Sequence, residues 1–226
     1  MKYLVLNMLG IMFGGYFSEY ISRFTTKRET DAMLYGANII ILLIGVQGAI
    51  ETNNTLLVLL SIVIGGFIGT RLDIDGKFQS VGNLAKMNKN SNSAAREGIV
   101  IMFMMQAIGS MAILGPLDVG LKGDGSLLIL KTVIDTTTSI IYGTKYGRSI
   151  AWVGPLVFIY QGLIFLFAKL ISPILNPIVV NEISAIGSVL IFMLGLNLLE
   201  IKESKVANFL PAILGPIVLF FFESIF

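Results

Sequence analysis

Eight stretches of roughly twenty mostly apolar residues follow one another along this 226-residue chain, separated by short charged clusters. A bilayer core is about 30 Å thick, and a helix needs about 20 apolar residues to cross it. The pattern therefore points to an all-α fold, a polytopic membrane helix bundle. The spans fall at about 3–21, 33–50, 55–72, 97–117, 128–146, 149–170, 178–199 and 205–225. Charge supports this reading. Only 13% of residues are charged, against about 25% in a soluble domain, so half the polar cover of a soluble fold is missing. The first segment has no A-x-A cleavage site and is expected to be a retained span.

The chain has no cysteine and no histidine, which excludes disulfides, thiolate catalysis and histidine-based metal sites. No cofactor and no metal are expected. A net charge of +2 gives no reason to expect nucleic acid. Lysine and arginine set the orientation, because they concentrate in cytoplasmic loops. Arg23, Lys27, Arg28, Arg71, Lys77, Lys86, Lys89, Arg96, Lys145, Arg148, Lys202 and Lys205 fall in the odd-numbered loops. Lys2, Lys122 and Lys169 face the other side, and Lys131 lies within a span. The expectation is a bacterial inner-membrane protein with both termini outside.

An internal repeat is visible at an offset of 150 residues. Ile44-Gly45-Val46-Gln47 resembles Leu194-Gly195-Leu196-Asn197, and SIVIGG at 61–66 aligns with PAILGP at 211–216, sharing Gly65 and Gly215. LGIMF at 9–13 pairs more weakly with QGLIF at 161–165. Matching spans are five apart, so the repeats would cross the membrane in opposite senses, an architecture recurrent in secondary transporters. The expected organisation is one integral membrane domain over 1–226. Within it lie repeat A at 1–72, a cytoplasmic loop at 73–96, a central polar hairpin at 97–146 and repeat B at 149–226. In the loop, Ile74, Phe78, Val81 and Leu84 recur at helical spacing, the pattern of a helix lying on the membrane surface. Pro155, Pro211 and Pro216 fall within spans and are expected to kink or break them.

Polar residues inside spans are the candidate site. Lys131 and Asp135 are four apart, on one helix face. In one reading Asp135 takes a cation or proton, Lys131 is its counter-charge, and the hydroxyls of Thr136 through Thr138 and Ser139 supply oxygens. In the other, the pair neutralises itself so that a polar segment can sit in a bundle. That segment, 128–146, is read either as a full span or as a re-entrant piece. Among the span amides Asn7, Asn38, Gln47, Gln106, Gln161, Asn197 and Asn208, the repeat singles out Gln47 and Asn197. Each follows a glycine by two residues, where the backbone can loosen. Gln106 and Gln161 are the other amide candidates. Glu182 reads as an interfacial carboxylate. Gly10 and Gly14 form GxxxG, as do Gly65 and Gly69, a motif for close helix packing.

Five stretches carry a family likeness: LLSIVIGGFIGTRLDIDGKF at 59–78, SMAILGPLDVGL at 110–121, LKTVIDTTTS at 130–139, PLVFIYQG at 155–162 and SAIGSVLIFMLGLNLLEIKESKVANFLPAI at 184–213. In these the chain resembles the YdfK/YqgA-type family of bacterial multipass membrane proteins, a domain-of-unknown-function family. The resemblance implies an integral membrane protein of transporter-like character and brings neither substrate nor catalytic residues.

Two functions are expected from different classes. The first is a secondary transporter or ion-coupled carrier for a small solute or cation. The second is a non-transporting membrane sensor, scaffold or accessory protein of a partner complex, suggested by the basic loop at 73–96. The expected partners are the lipid bilayer and a small ion or solute, with a homo-oligomer left open. An enzyme is not expected. A serine–histidine device lacks its histidine, and an aspartyl device needs two intramembrane aspartates where one is found.

Overall fold

The computed structural model describes residues 1–77, 93–107, 110–172 and 177–223, and these are helical with short connections. The helices are α1 (Lys2–Phe24), α2 (Lys27–Ile50), α3 (Thr55–Arg71), α4 (Ser93–Ala107), α5 (Ser110–Lys122) and α6 (Ser126–Tyr146). They continue with α7 (Val153–Leu166), a single helical turn at Ala168–Ile171, α8 (Pro177–Leu198) and α9 (Gly215–Glu223). A 3₁₀ stretch, Arg148–Trp152, leads into α7 and another, Val206–Leu214, leads into α9. Most of the surface helix expected at 74–84 lies outside the described residues; within them, 74–77 form a helical turn.

Local chemistry sets several ends. Thr26 and Glu29 form a reciprocal box before α2, with Thr26 N–H donating to Glu29 Oε2 and Glu29 N–H to Thr26 Oγ1, which occupies two otherwise orphaned donors. Asn54 Oδ1 accepts the Leu57 N–H at 3.0 Å and caps α3, as its residue type favours. The prolines accompany interruptions of the regular α-helix, as expected. Pro155 and Pro216 stand in the first turns of α7 and α9, where a missing N–H has no helical partner to lose. Pro211 lies inside the 3₁₀ stretch. In both segments a 3₁₀ stretch comes first, and regular α-helix starts only at Val153 and at Gly215.

Among the described residues, four helical segments are long and apolar enough to cross a bilayer: Lys2–Phe24, Lys27–Ile50, Arg148–Leu166 and Pro177–Leu198. Ala95–Ala107 and Met111–Lys122 form a pair bent by 57°, and Thr55–Arg71 and Val206–Val218 are shorter apolar helices. α6 is too polar to belong with these, yet it is an unbroken helix of 21 residues, about 31 Å long at 1.5 Å per residue. Large apolar side chains stand exposed along the outer faces, among them Phe13, Tyr16, Tyr20, Leu59, Val63 and Phe67. Water does not tolerate such surface over large areas; lipid does.

The chain divides into two compact units whose boundaries differ from those of the sequence repeat. One comprises Met1–Ala37, Gln79–Ala107 and Met111–Ala168, the other Asn38–Phe78, Ile108–Ser110 and Lys169–Phe226. In the first unit, Gly10 of α1 packs against Thr132 and Thr136 of α6, Gly14 against Thr136 and Ser139, and Ser18 against Gly143. Residue numbers rise together, so α1 and α6 run parallel. α7 runs antiparallel to α1, since Met8 meets Gly154 while Asn7 reaches Gln161. Leu4, Val119 and Leu128 form an apolar core beside Phe158 and Phe165.

In the second unit, α2 and α8 approach through glycines. Gly45 packs on the backbone of Phe192, Gly48 on Ser188 and Gly195 on Leu42, and Asn38 Nδ2 donates to the Leu198 carbonyl at 3.0 Å. α3 packs likewise on the segment from Asn208 to Gly215, with Gly69 on Asn208, Gly65 on Ala212 and Gly215 on Ser61. Both contacts are antiparallel. Val58, Ala185, Ile186 and Ala212 fill the core between them. Where lipid removes the hydrophobic drive between helices, such close backbone approach supplies the packing energy.

Candidate functional site

The face of α6 that packs inward carries Leu128, Lys131, Asp135, Ser139, Tyr142, Gly143 and Tyr146, a stripe at spacings of three and four. Its middle is polar. Lys131 Nζ donates to Asp135 Oδ1 at 2.9 Å, and the two residues are only 5% and 3% exposed. A buried ion pair is tolerable only where good geometry and further hydrogen bonds satisfy its remaining lone pairs. Asn7 of α1 provides one, donating from Nδ2 to Asp135 Oδ2 at 3.1 Å and to Gln161 Oε1 of α7 at 3.4 Å. From α4, Gln106 Nε2 donates to the Asp135 carbonyl at 3.3 Å and to Ser139 Oγ at 3.0 Å. Four helices thus bring Asn7, Gln106, Lys131, Asp135, Ser139 and Gln161 to one buried place.

The cluster is incompletely satisfied. Asn7 Oδ1, Gln106 Oε1 and Gln161 Nε2 are buried with no hydrogen-bond partner. Most buried side-chain polar groups in proteins have a partner, so three orphaned amide atoms in one cluster leave hydrogen-bonding capacity there that a ligand or ordered water can use.

The sequence-derived candidates separate here. Asp135, Lys131, Gln106 and Gln161 meet in the cluster. Thr138 donates its hydroxyl to the carbonyls of Ile134 and Asp135, and Thr137 donates to that of Val133. Such bonding into the preceding turn is common for mid-helix threonine. Thr136 packs its hydroxyl against Gly10. Of the four consecutive hydroxyl residues, Ser139 is the one held by a cluster side chain. Gln47 and Asn197 belong to the other unit. Gln47 is exposed. Asn197 ties a loop: Nδ2 donates to the Ser204 carbonyl at 2.6 Å, and Oδ1 accepts from Ser204 N–H and Oγ.

Two placements differ from what the sequence suggested. Asn7 is a central member of the cluster. It sits one turn before Gly10 on the stripe that carries the α1 GxxxG, and that shared face is the signal that would have found it. Glu182, near the start of α8, is 3% exposed, so it is covered by protein and not solvated. The α2–α3 loop folds against it, so Thr52 Oγ1 and Asn53 N–H donate to its two oxygens. Among the described residues no three His, Cys, Asp or Glu side chains gather as a metal group.

Long apolar helices with exposed aromatics, packed about a buried polar cluster, mark a helical membrane protein. The chain belongs to the family described as "Protein of unknown function (DUF554)", whose model matches residues 4–221. It is 31% identical to the "Uncharacterized membrane protein YdfK" of Bacillus subtilis over 217 residues, 96% of this chain and 93% of the relative. It is 25% identical to the "Uncharacterized protein YqgA" of Escherichia coli over 216 residues, 92% of each chain. No solved structure matches it significantly.

Proposed function

We propose that the protein is a secondary, ion-coupled carrier for a small solute or cation, with the Asp135 cluster as its coupling site. The observation that carries this reading is the set of three orphaned polar atoms around a buried, ion-paired carboxylate. Orphaned amides beside such a pair leave room for a ligand's hydrogen bonds, and ionisable residues at membrane depth mark ion and substrate paths.

The contacts of the second unit support an inverted repeat and, with it, eight crossings. Moving each partner by 150 residues in opposite directions turns the Gly45–Phe192 contact into Gly195–Leu42, and both occur. The same exchange turns Gly48–Ser188 into Leu198–Asn38, which is the hydrogen bond found there. A two-fold axis that exchanges antiparallel helices lies perpendicular to them, hence in the plane of a membrane they cross. Such repeats frame sites near the midplane of many transporters.

The direct test is flux. Purified protein in proteoliposomes, with sodium or proton gradients imposed, is expected to move ions above the level of empty liposomes. Absence of flux with either gradient would favour the sensor or scaffold reading. Orientation has its own test. Twelve basic residues in odd-numbered loops against three opposite argue for those loops lying on the cytoplasmic side of an inner membrane. Reporters inserted at Asn90 are expected to read cytoplasmic, and those at Gly123 or after Phe226 external. A cytoplasmic reading after Phe226 would remove one crossing.

A further inference from the structure

Six side chains of the first unit converge, and their chemistry restricts what they can take. The site offers oxygen: both Asp135 carboxylate atoms, Ser139 Oγ, the Gln161 Oε1 that accepts from Asn7, and the orphaned Asn7 Oδ1 and Gln106 Oε1. Asn7 donates through Nδ2 to the carboxylate itself, so its free oxygen is within one amide's width of Asp135. Gln106 Nε2 bonds both the Asp135 carbonyl and Ser139 Oγ, which holds its free oxygen beside the turn of α6 that begins at Asp135. Asn7 and Gln161 are fully buried and Gln106 is 2% exposed, so bulk water does not serve these atoms.

The third orphan, Gln161 Nε2, is a donor and stands outside the ligand set; the oxygens that remain suit a hard cation. Charge then selects its valence. The cluster holds one carboxylate, already matched by one ammonium. A divalent ion would leave uncompensated positive charge in a dry interior even after Lys131 moved away, and burying unpaired charge is prohibitive. A monovalent ion restores neutrality when it takes the ammonium's place and Lys131 either swings out of the cluster or gives up its proton.

We infer that the ion bound here is a monovalent hard cation of the sodium class, held by the Asp135 carboxylate with Asn7 Oδ1 and Gln106 Oε1, in exchange for the Lys131 ammonium. The inference rests on Asp135 being the coupling site and assigns the ion that it couples. Asn7 and Gln106 are ligands in this scheme, and Lys131 is the internal competitor.

The test uses the purified full chain in detergent, in choline chloride, titrated with sodium, potassium, magnesium or calcium chloride at matched ionic strength. Thermal unfolding and binding of radioactive sodium are the readouts. Sodium is expected to raise the unfolding midpoint saturably, with no comparable rise from magnesium, calcium or choline. Gln106→Met, which keeps the volume but removes the oxygen, is expected to weaken sodium binding at least tenfold. Lys131→Met is expected to tighten it at least tenfold and to make stability depend steeply on sodium. A merely structural ion pair would not respond in this way. Equal responses to every salt, a preference for divalent ions, or unchanged sodium affinity in Lys131→Met would overturn the assignment; a buried water at the orphaned oxygens would give the first of these. Sodium binding without flux would leave the assignment standing and remove the carrier. Proton-driven flux with no sodium response would do the reverse.

Discussion

Asp135→Asn is expected to reduce gradient-driven ion flux to the level of empty liposomes. The substitution keeps side-chain size and an oxygen for Asn7 Nδ2 to meet, but it removes the only carboxylate in the cluster. It also leaves the Lys131 ammonium without its partner at a site 5% exposed. Breaking a buried pair from one side costs about 3–5 kcal/mol, so lower stability is expected together with the loss of flux. The paired variant Lys131→Met with Asp135→Asn separates the two effects, because it leaves no unpaired charge. It is expected to insert, to run as a monodisperse peak in detergent and to carry no coupled flux. Normal flux from either folded variant would remove Asp135 from the mechanism.

The largest structural effect is expected at the glycines of α3. A Cβ on Gly69 would overlap the Asn208 carbonyl, and one on Gly65 the backbone N and Cα of Ala212. These are main-chain atoms and cannot turn aside as a side chain would, so α3 and the 3₁₀ segment must part. Overpacking of a tight interior costs about 1–3 kcal/mol and occasionally more. Gly69→Val is expected at or beyond the top of that range, with loss of the folded peak in detergent. Gly36→Ala is the control, because nothing lies within 4 Å of the added carbon. It should gain up to about 1 kcal/mol from helix propensity. Equal thermal stability of Gly69→Val and wild type would contradict the close packing of this unit.

The sequence revealed much of this architecture because the periodicity of apolar residues is set by helix geometry, whatever the tertiary context. Among the described residues the apolar stretches fall on helical segments, four of them long and apolar enough to cross a bilayer, and the GxxxG pairs at Gly10 and Gly65 lie at close helix contacts. Lys131 and Asp135 are legible as neighbours because four residues make about one turn. Their surroundings are not, because Asn7, Gln106 and Gln161 come from distant helices and only tertiary packing selects them from seven span amides. Repeat position draws attention to Gln47 and Asn197, yet equivalence in a repeat does not place two side chains in similar surroundings. Asn197 meets Ser204 in a loop while Gln47 stands exposed. The burial of Glu182 is not legible either, because its distance from a span end says nothing about the loop that folds over it.

Alternating exposure of the buried cluster is the property that separates a carrier from a scaffold. The chain contains no cysteine, so a single thiol can report it without background. Ser139→Cys places that thiol at a fully buried position that accepts a hydrogen bond from Gln106. In proteoliposomes of known orientation, a small membrane-impermeant thiol reagent should label the introduced thiol from one face. The reactive face should switch when the ion gradient is reversed. A thiol that stays unreactive from both faces in the folded Ser139→Cys protein, yet labels fully once unfolded, would contradict the carrier and leave the Lys131–Asp135 cluster a sealed structural core.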